Sequence, residues 1–153
     1  MRVVVQRVRS AEVRVAGEVV GAIERGMVLL VCVLAGDGPR DAERLAARVA
    51  QFRFFPRGDR SMDQSALDAR AEGADVRALV ISQFTLAADG RKGRRPSFDQ
   101  AARPEVAEPL CAHFATHLAA MGLPIATGRF GAAMEVALVN DGPVTFVLSE
   151  PGP

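Results

Sequence analysis

The chain is poor in the residues that staple small proteins or build metal centres. It has two cysteines, Cys32 in an apolar run and Cys111 in a helical pattern, and neither stands at metal-ligand spacing. They are read as free, reduced thiols of a cytosolic protein. With 153 residues, 49% of them hydrophobic, one domain can bury a core that needs neither disulfides nor metal. No apolar run reaches the ~18 residues of a membrane span, and Met1-Arg2 leads straight into a strand-like run without a signal-peptide pattern. The expectation is a soluble, cytoplasmic domain with no membrane partner. Net charge is only +1, so bulk electrostatics gives no argument for a nucleic-acid partner.

Familiar catalytic motifs are missing as well. There is no Gly-x-Ser-x-Gly elbow, no Walker loop and no dinucleotide-binding glycine pattern, and no motif sets a His beside a Ser or Cys nucleophile. Ser82 and Thr85 are the available hydroxyls, yet a Thr nucleophile needs an adjacent base and the sequence offers none. An enzyme built this way is expected to position and polarise rather than attack. His113 and His117 are four apart on a helical pattern, but no Glu follows His113 as a zinc hydrolase would require. No metal and no cofactor are expected.

What is present reads as alternating strands and two main helices. Val3–Val8, Glu12–Val15 and Glu18–Ile23 are strand-like, the last two joined by Ala16-Gly17 as a hairpin. Met27–Leu34 is apolar throughout, as in a central strand buried on both faces. Asp37-Gly38-Pro39 starts a helix with Ala42, Leu45, Ala46, Val49 and Phe52 at helical spacing. Residues 54–74 are mixed, with a turn at Pro56–Arg60 and a short extended stretch from Ser61 to Leu67. Val76–Leu86 is an apolar strand that turns polar at Ser82 and Gln83, groups that need partners or a ligand where the sheet opens. A second helix spans Pro104–Met121 with a stripe of Val106, Leu110, Phe114, Leu118 and Met121. Ile125–Thr127 reads as extended. One domain over residues 1–149 and a loose tail over 150–153 are expected.

Two stretches stand out. Among 19 basic residues Lys92 is the only lysine, and it sits with Arg91, Arg94 and Arg95 in a glycine-rich loop whose guanidinium groups suit phosphate oxygens. The other is Asn140-Asp141-Gly142-Pro143, between the strand-like runs Met134–Val139 and Val144–Leu148. Asn-Asp-Gly is hairpin-turn chemistry, and a structural hairpin is one reading. Pro143, however, removes a backbone N–H where a returning strand would begin to pair. The alternative is a turn whose backbone oxygens are aimed at something.

Five stretches taken together resemble the D-aminoacyl-tRNA deacylase family: Gln6-Arg7-Val8, Ser82-Gln83-Phe84-Thr85-Leu86, Gly93-Arg94-Arg95-Pro96-Ser97-Phe98, Gly128-Arg129-Phe130-Gly131-Ala132-Ala133-Met134 and Asn140 to Thr145. The resemblance covers essentially the whole chain. It implies an α/β (α+β) single domain, a largely antiparallel barrel-like sheet with two main helices, acting as a homodimer on the aminoacylated 3′ end of tRNA. It implies a metal-free esterase that releases D-amino acids, or glycine, and rejects L-aminoacyl-tRNA. By the same resemblance Gly142 and Pro143, joined by a cis bond, would reach into the partner's pocket and exclude an L side chain, with Arg7 orienting them. Ser82, Gln83, Phe84 and Thr85 would hold the amino acid and the scissile ester, backbone N–H groups around Phe84 and Thr85 facing the oxyanion while the ribose 2′-hydroxyl assists. Phe130 and Ala107 would hold the terminal adenosine with Met134 nearby, and Arg94 and Arg95 would meet phosphates. Two other readings remain: an esterase of small esters with Thr85 as nucleophile, and a non-catalytic nucleic-acid-binding module.

Overall fold

The computed structural model describes residues 1–91 and 93–151; Lys92 of the basic loop and Gly152-Pro153 of the tail lie outside the described residues. The fold is organised by one long strand, β1 (Arg2–Val15), which merges the first two strand-like runs. Its far end turns through Ala16-Gly17, both at positive φ, into β2 (Glu18–Ile23). β3 (Gly26–Cys32) pairs antiparallel with the first half of β1, so that β1 carries β3 and β2 in succession along one edge.

Helix α1 (Pro39–Gln51) starts where the Gly-Pro signal places it, with the Asp41 carboxylate accepting from Gly38 N–H at 2.8 Å. Then come a small hairpin, β4 (Phe55–Arg57) and β5 (Arg60–Gln64), and a short helix, α2 (Ala66–Ala71). β6 (Arg77–Ser82) lies parallel to β3, α3 (Pro104–Ala120) crosses back over the sheet, and β7 (Ile125–Thr127) lies parallel to β6. β8 (Glu135–Ser149) closes the chain against the other edge of β1. The sheet order is β2-β1-β3-β6-β7 with β8 beside β1. The three pairings of β1 are antiparallel and the two made by β6 are parallel, because helix-containing connections carry the chain back before each parallel strand.

The sheet curls until β2 approaches β7: a side chain at Gly21 would collide with the carbonyl of Thr127, so the near-closure depends on a residue without Cβ. Strand alternation divides the core. Met27, Leu29, Val31, Ala78 and Val80 face the helices, whereas Val28, Leu79 and Ile81 fill the barrel interior with Val8, Val13 and Ile23. The expectation of a central strand buried on both faces holds for this reason.

Three expectations are corrected. Asn140 to Val144 is not a hairpin: residues on both sides of it pair with the same strand, Thr145 with Gln6 and Asn140 with Val8, so the chain does not reverse. One β1 residue, Arg7, stands opposite the four residues 141–144, which makes the segment a large, irregular bulge. On α3, Val106 is 44% exposed and Ala107 takes its place in the buried stripe with Leu110, Phe114 and Leu118. Four-residue steps overshoot a 3.6-residue turn by about 40° each, so a stripe drawn back from Leu118 drifts off the core by Val106. Finally, residues 66–71 are helical. The missed signal was Ser65-x-x-Asp68, whose side chains and backbone N–H groups cap each other at 3.1 and 2.9 Å. Just past β8, Glu150 N–H donates to the Met1 carbonyl at 2.8 Å, and the Glu150 carboxylate lies 3.3 Å from Arg48 Nη1.

Candidate active site

β6 ends at Ser82, where the chain leaves the sheet and winds into a 3₁₀ turn, Phe84–Ala87. Gln83 N–H still donates to the Val31 carbonyl at 2.7 Å, which fixes the start of the turn against β3. Arg2 Nη1 holds its end through the Leu86 carbonyl at 2.7 Å. A 3₁₀ turn bonds each N–H to the carbonyl three residues back, and the first such bond here is Leu86 N–H to Gln83 O at 3.2 Å. The N–H groups of Phe84 and Thr85 therefore have no partner within the turn. The Thr85 hydroxyl is approached by Gln83 Nε2, an amide donor that cannot take a proton.

This turn forms one wall of a cavity of about 350 Å³, whose lining includes Val31, Val33, Ser82, Gln83, Phe84, Ala107, Cys111 and Phe130. The lining is largely apolar with a few polar groups at one end, the composition expected of a ligand site. Phe84 is 58% exposed at its mouth, and its ring meets Phe98 edge-on at 5.1 Å. Phe98 ends the basic loop, whose arms are joined by paired hydrogen bonds between Asp89 and Ser97 at 2.8 and 2.9 Å. Arg91 is taken up by Asp89, but Arg94 and Arg95 are exposed and have no carboxylate partner among the described residues.

The structure thus brings Ser82, Gln83, Phe84, Ala107 and Phe130 to one cavity. Met134 lies apart from its lining, against Gly128 and the barrel interior. Gly142, Pro143 and Arg7 lie elsewhere: Val31 pairs with Val3 whereas Arg7 pairs with Met27, so four residues of β1, about 13 Å of strand, separate the bulge from the cavity of the same chain. Gly142 and Pro143 are exposed, and the bond between them is cis. Beneath the bulge, Arg7 is 7% exposed and donates Nη1 to the carbonyls of Phe54 at 2.7 Å and Ser61 at 3.0 Å, and Nε to that of Asp141 at 3.3 Å. Asn140 closes its base, accepting from Val144 N–H at 3.3 Å and donating to Thr145 Oγ1 at 3.0 Å.

A family model described as D-Tyr-tRNA(Tyr) deacylase matches residues 4–149. The chain belongs to the D-aminoacyl-tRNA deacylase family. Its D-aminoacyl-tRNA deacylase relatives include that of Chloroflexus aurantiacus, 56% identical over 97% of this chain and 89% of the other. That of Halorhodospira halophila is 53% identical over 99% and 96%. Among solved structures, one titled "c-Myc DNA Unwinding Element Binding Protein" superposes with a TM-score of 0.90 at 35% identity, covering 99% of this chain and all of that one. A second, titled as a probable eukaryotic D-amino acid tRNA deacylase, shares the fold with a TM-score of 0.80 at 17% identity over 96% and 97% of the two chains. As a deacylase of this family the protein is a carboxylic ester hydrolase. No helix among the described residues is long and apolar enough to cross a membrane. His113 Nε2, on the cavity-lining helix, lies 2.9 Å from a Glu43 carboxylate oxygen of α1.

Sequence reasoning did not anticipate Cys111 in the cavity wall, because a cysteine in a helical stripe carries no site signal of its own. Its chemistry is nevertheless decided by its surroundings. Burial, reinforced by the nearby Cys32, pushes the Cys111 thiol up to about 11, and burial raises Cys32 as well. Neither is an active thiolate at neutral pH. Native protein at about pH 8 is expected to be alkylated at Cys111 by iodoacetamide roughly 100-fold more slowly than free cysteine, the rate rising as pH approaches 11. Mass-spectrometric labelling kinetics equal to those of free cysteine would contradict this.

Proposed function

We propose that the protein hydrolyses the ester of D-aminoacyl-tRNA, and of glycyl-tRNA, as a homodimer in which each subunit's Gly142-Pro143 bulge completes the other's cavity. The observation that carries the reading is the bulge: Gly142 and Pro143 are exposed, the neighbouring Asp141 carbonyl is held by a buried Arg7, and the pair stands too far along β1 to serve its own cavity. A partner cavity is the fitting destination. Dimerisation is supported by β8, which pairs only with β1 among the described strands and exposes Val136, Val139 and Val147. The two carbonyls would occupy the side of the α-carbon where an L side chain projects, so chirality is read by exclusion.

In the cavity, the free N–H groups of Phe84 and Thr85 would receive the oxyanion as water adds to the ester carbonyl. The bond from carbonyl carbon to ribose oxygen then breaks, and that oxygen leaves with a proton, giving free amino acid and tRNA. Such donors supply a few kcal/mol. The absence of a base at Thr85 favours assistance from the neighbouring ribose 2′-hydroxyl over a threonine nucleophile. Ser82 and Gln83 would face the amino acid, Ala107 and Phe130 the terminal adenosine with Met134 behind, and Arg94 and Arg95 the phosphates, which makes binding salt-dependent.

Purified protein, with chelator present, is expected to hydrolyse D-tyrosyl-tRNA and glycyl-tRNA and to spare L-tyrosyl-tRNA. A folded dimer inactive on all three would sink the reading. The neighbour titled as a DNA unwinding element binding protein favours a second one, a non-catalytic nucleic-acid-binding module, which predicts tRNA binding without turnover. An esterase with Thr85 as nucleophile is tested by Thr85→Ala. That variant is expected to keep kcat within about fivefold, whereas loss of a true nucleophile costs on the order of a millionfold.

A further inference from the structure

Behind Phe130 lies a second cavity, of about 180 Å³, that shares Ser82, Cys111 and Phe130 with the larger one. One face of α3 lines it, Glu108, Cys111, Ala112 and Ala115 recurring at helical spacing, and Val80, Thr127 and Gly128 form the opposite side. Beyond the wall it shares through Ser82 and Phe130, the proposed reaction makes no use of this space or of Glu108. Glu108 is exposed and has no cationic partner among the described residues. A free carboxylate beside a polyanionic substrate is repulsive unless it faces a hydrogen-bond donor. A tRNA 3′ end offers ribose hydroxyls, the α-ammonium of the amino acid and the exocyclic amines of its bases, and of these only the amines sit on a ring that would fill a cavity of about 180 Å³. With the terminal adenine in the larger cavity, the remaining neighbour is the cytosine that precedes it in every tRNA.

We propose that the smaller cavity binds the base of that penultimate cytidine, with Glu108 accepting from its 4-amino group. The proposal rests on the deacylase reading. Carboxylates select cytosine in this way because uracil presents an acceptor at the same place. Phe130 walls both cavities, so the two bases can each use one of its faces as a stacking surface. The smaller volume suits a single six-membered ring.

The test compares D-aminoacyl esters of adenosine, of the dinucleotide CpA and of UpA. The unaltered protein is expected to show a KM about tenfold lower for CpA than for UpA, and Glu108→Ala to erase that difference. Ala112→Leu, which fills the cavity, should bring the KM for CpA to that for adenosine alone. Equal KM values for CpA and UpA in the unaltered protein would overturn the proposal. So would an equal rise for adenosine and CpA esters in Glu108→Ala, which would give the amine to the terminal adenine. Failure to hydrolyse any D ester, including D-aminoacyl-tRNA, removes the deacylase reading itself; hydrolysis without discrimination removes only the subsite.

Discussion

Gly142→Ala is expected to lower kcat/KM for D-aminoacyl-tRNA by about 100-fold, the scale associated with misplacing a reacting group by about an ångström. Gly142 has φ +127°, a conformation L side chains rarely adopt, and a Cβ built there would lie 2.7 Å from Val144 Cγ2, 3.1 Å from Val144 N and 3.2 Å from Arg7 Nη2. Two of those neighbours are fixed. Val144 is buried and its N–H bonds to Asn140, and Arg7 is committed to three carbonyls. The bulge is therefore the part that must give, and the carbonyls it carries move with it. Strain at one such residue costs about 1–3 kcal/mol, so the variant should fold with a lowered melting temperature. The measurement is a single-turnover rate on D-aminoacyl-tRNA, normalised to folded protein, beside a thermal melt. A variant that melts lower but cleaves at the wild-type rate would reduce the bulge to a structural irregularity.

The same segment marks the limit of what the sequence discloses. Local patterns place the strands and both main helices, because each has an apolar period or a cap that acts within a few residues: Gly38-Pro39 starts α1, and the continuous apolar run of β3 is divided by alternation between the helix layer and the barrel interior. Asn140-Asp141-Gly142 misled because turn chemistry reports a local bend without saying whether the chain returns. Only the register with β1, set by residues more than 130 positions away, shows that it continues forward. The site divides likewise. Ser82 and Gln83 are visible as polar residues ending an apolar strand, whereas Cys111 and Glu108 belong to the cavities only because α3 crosses the sheet end at one angle. By pattern alone Arg7 is one polar residue in a strand, and in the sequence only the family resemblance singles it out. Its importance lies in three distant carbonyls.

Those carbonyls make Arg7→Ala the most destabilising single change expected here, at about 3–5 kcal/mol, the range for removing one partner from a buried charged network. The guanidinium joins three parts of the chain: Phe54 ahead of β4, Ser61 in β5 and Asp141 in the bulge of β8, whose carboxylate it also meets at 3.3 Å. Alanine leaves the buried Phe54 carbonyl without this donor and removes the bonds to the part-buried carbonyls of Ser61 and Asp141 as well. Arg9 supplies the contrast: it too meets Asp141, at 3.4 Å, but its side chain is 77% exposed, and Arg9→Ala should cost less than about 1 kcal/mol. Arg7→Lys should fall between, since an ammonium keeps the charge but cannot reproduce a planar fork serving separate acceptors. Denaturant unfolding at fixed protein concentration gives the order Arg9→Ala, Arg7→Lys, Arg7→Ala. Because the contacts that hold β4–β5 also hold the bulge, the deacylation rate per folded protein should fall in the same order. A stable Arg7→Ala protein, within about 1 kcal/mol of wild type, would show that the bulge is held by its own backbone. Unchanged activity in a destabilised one would separate the stability of the hairpin from the orientation of Gly142 and Pro143.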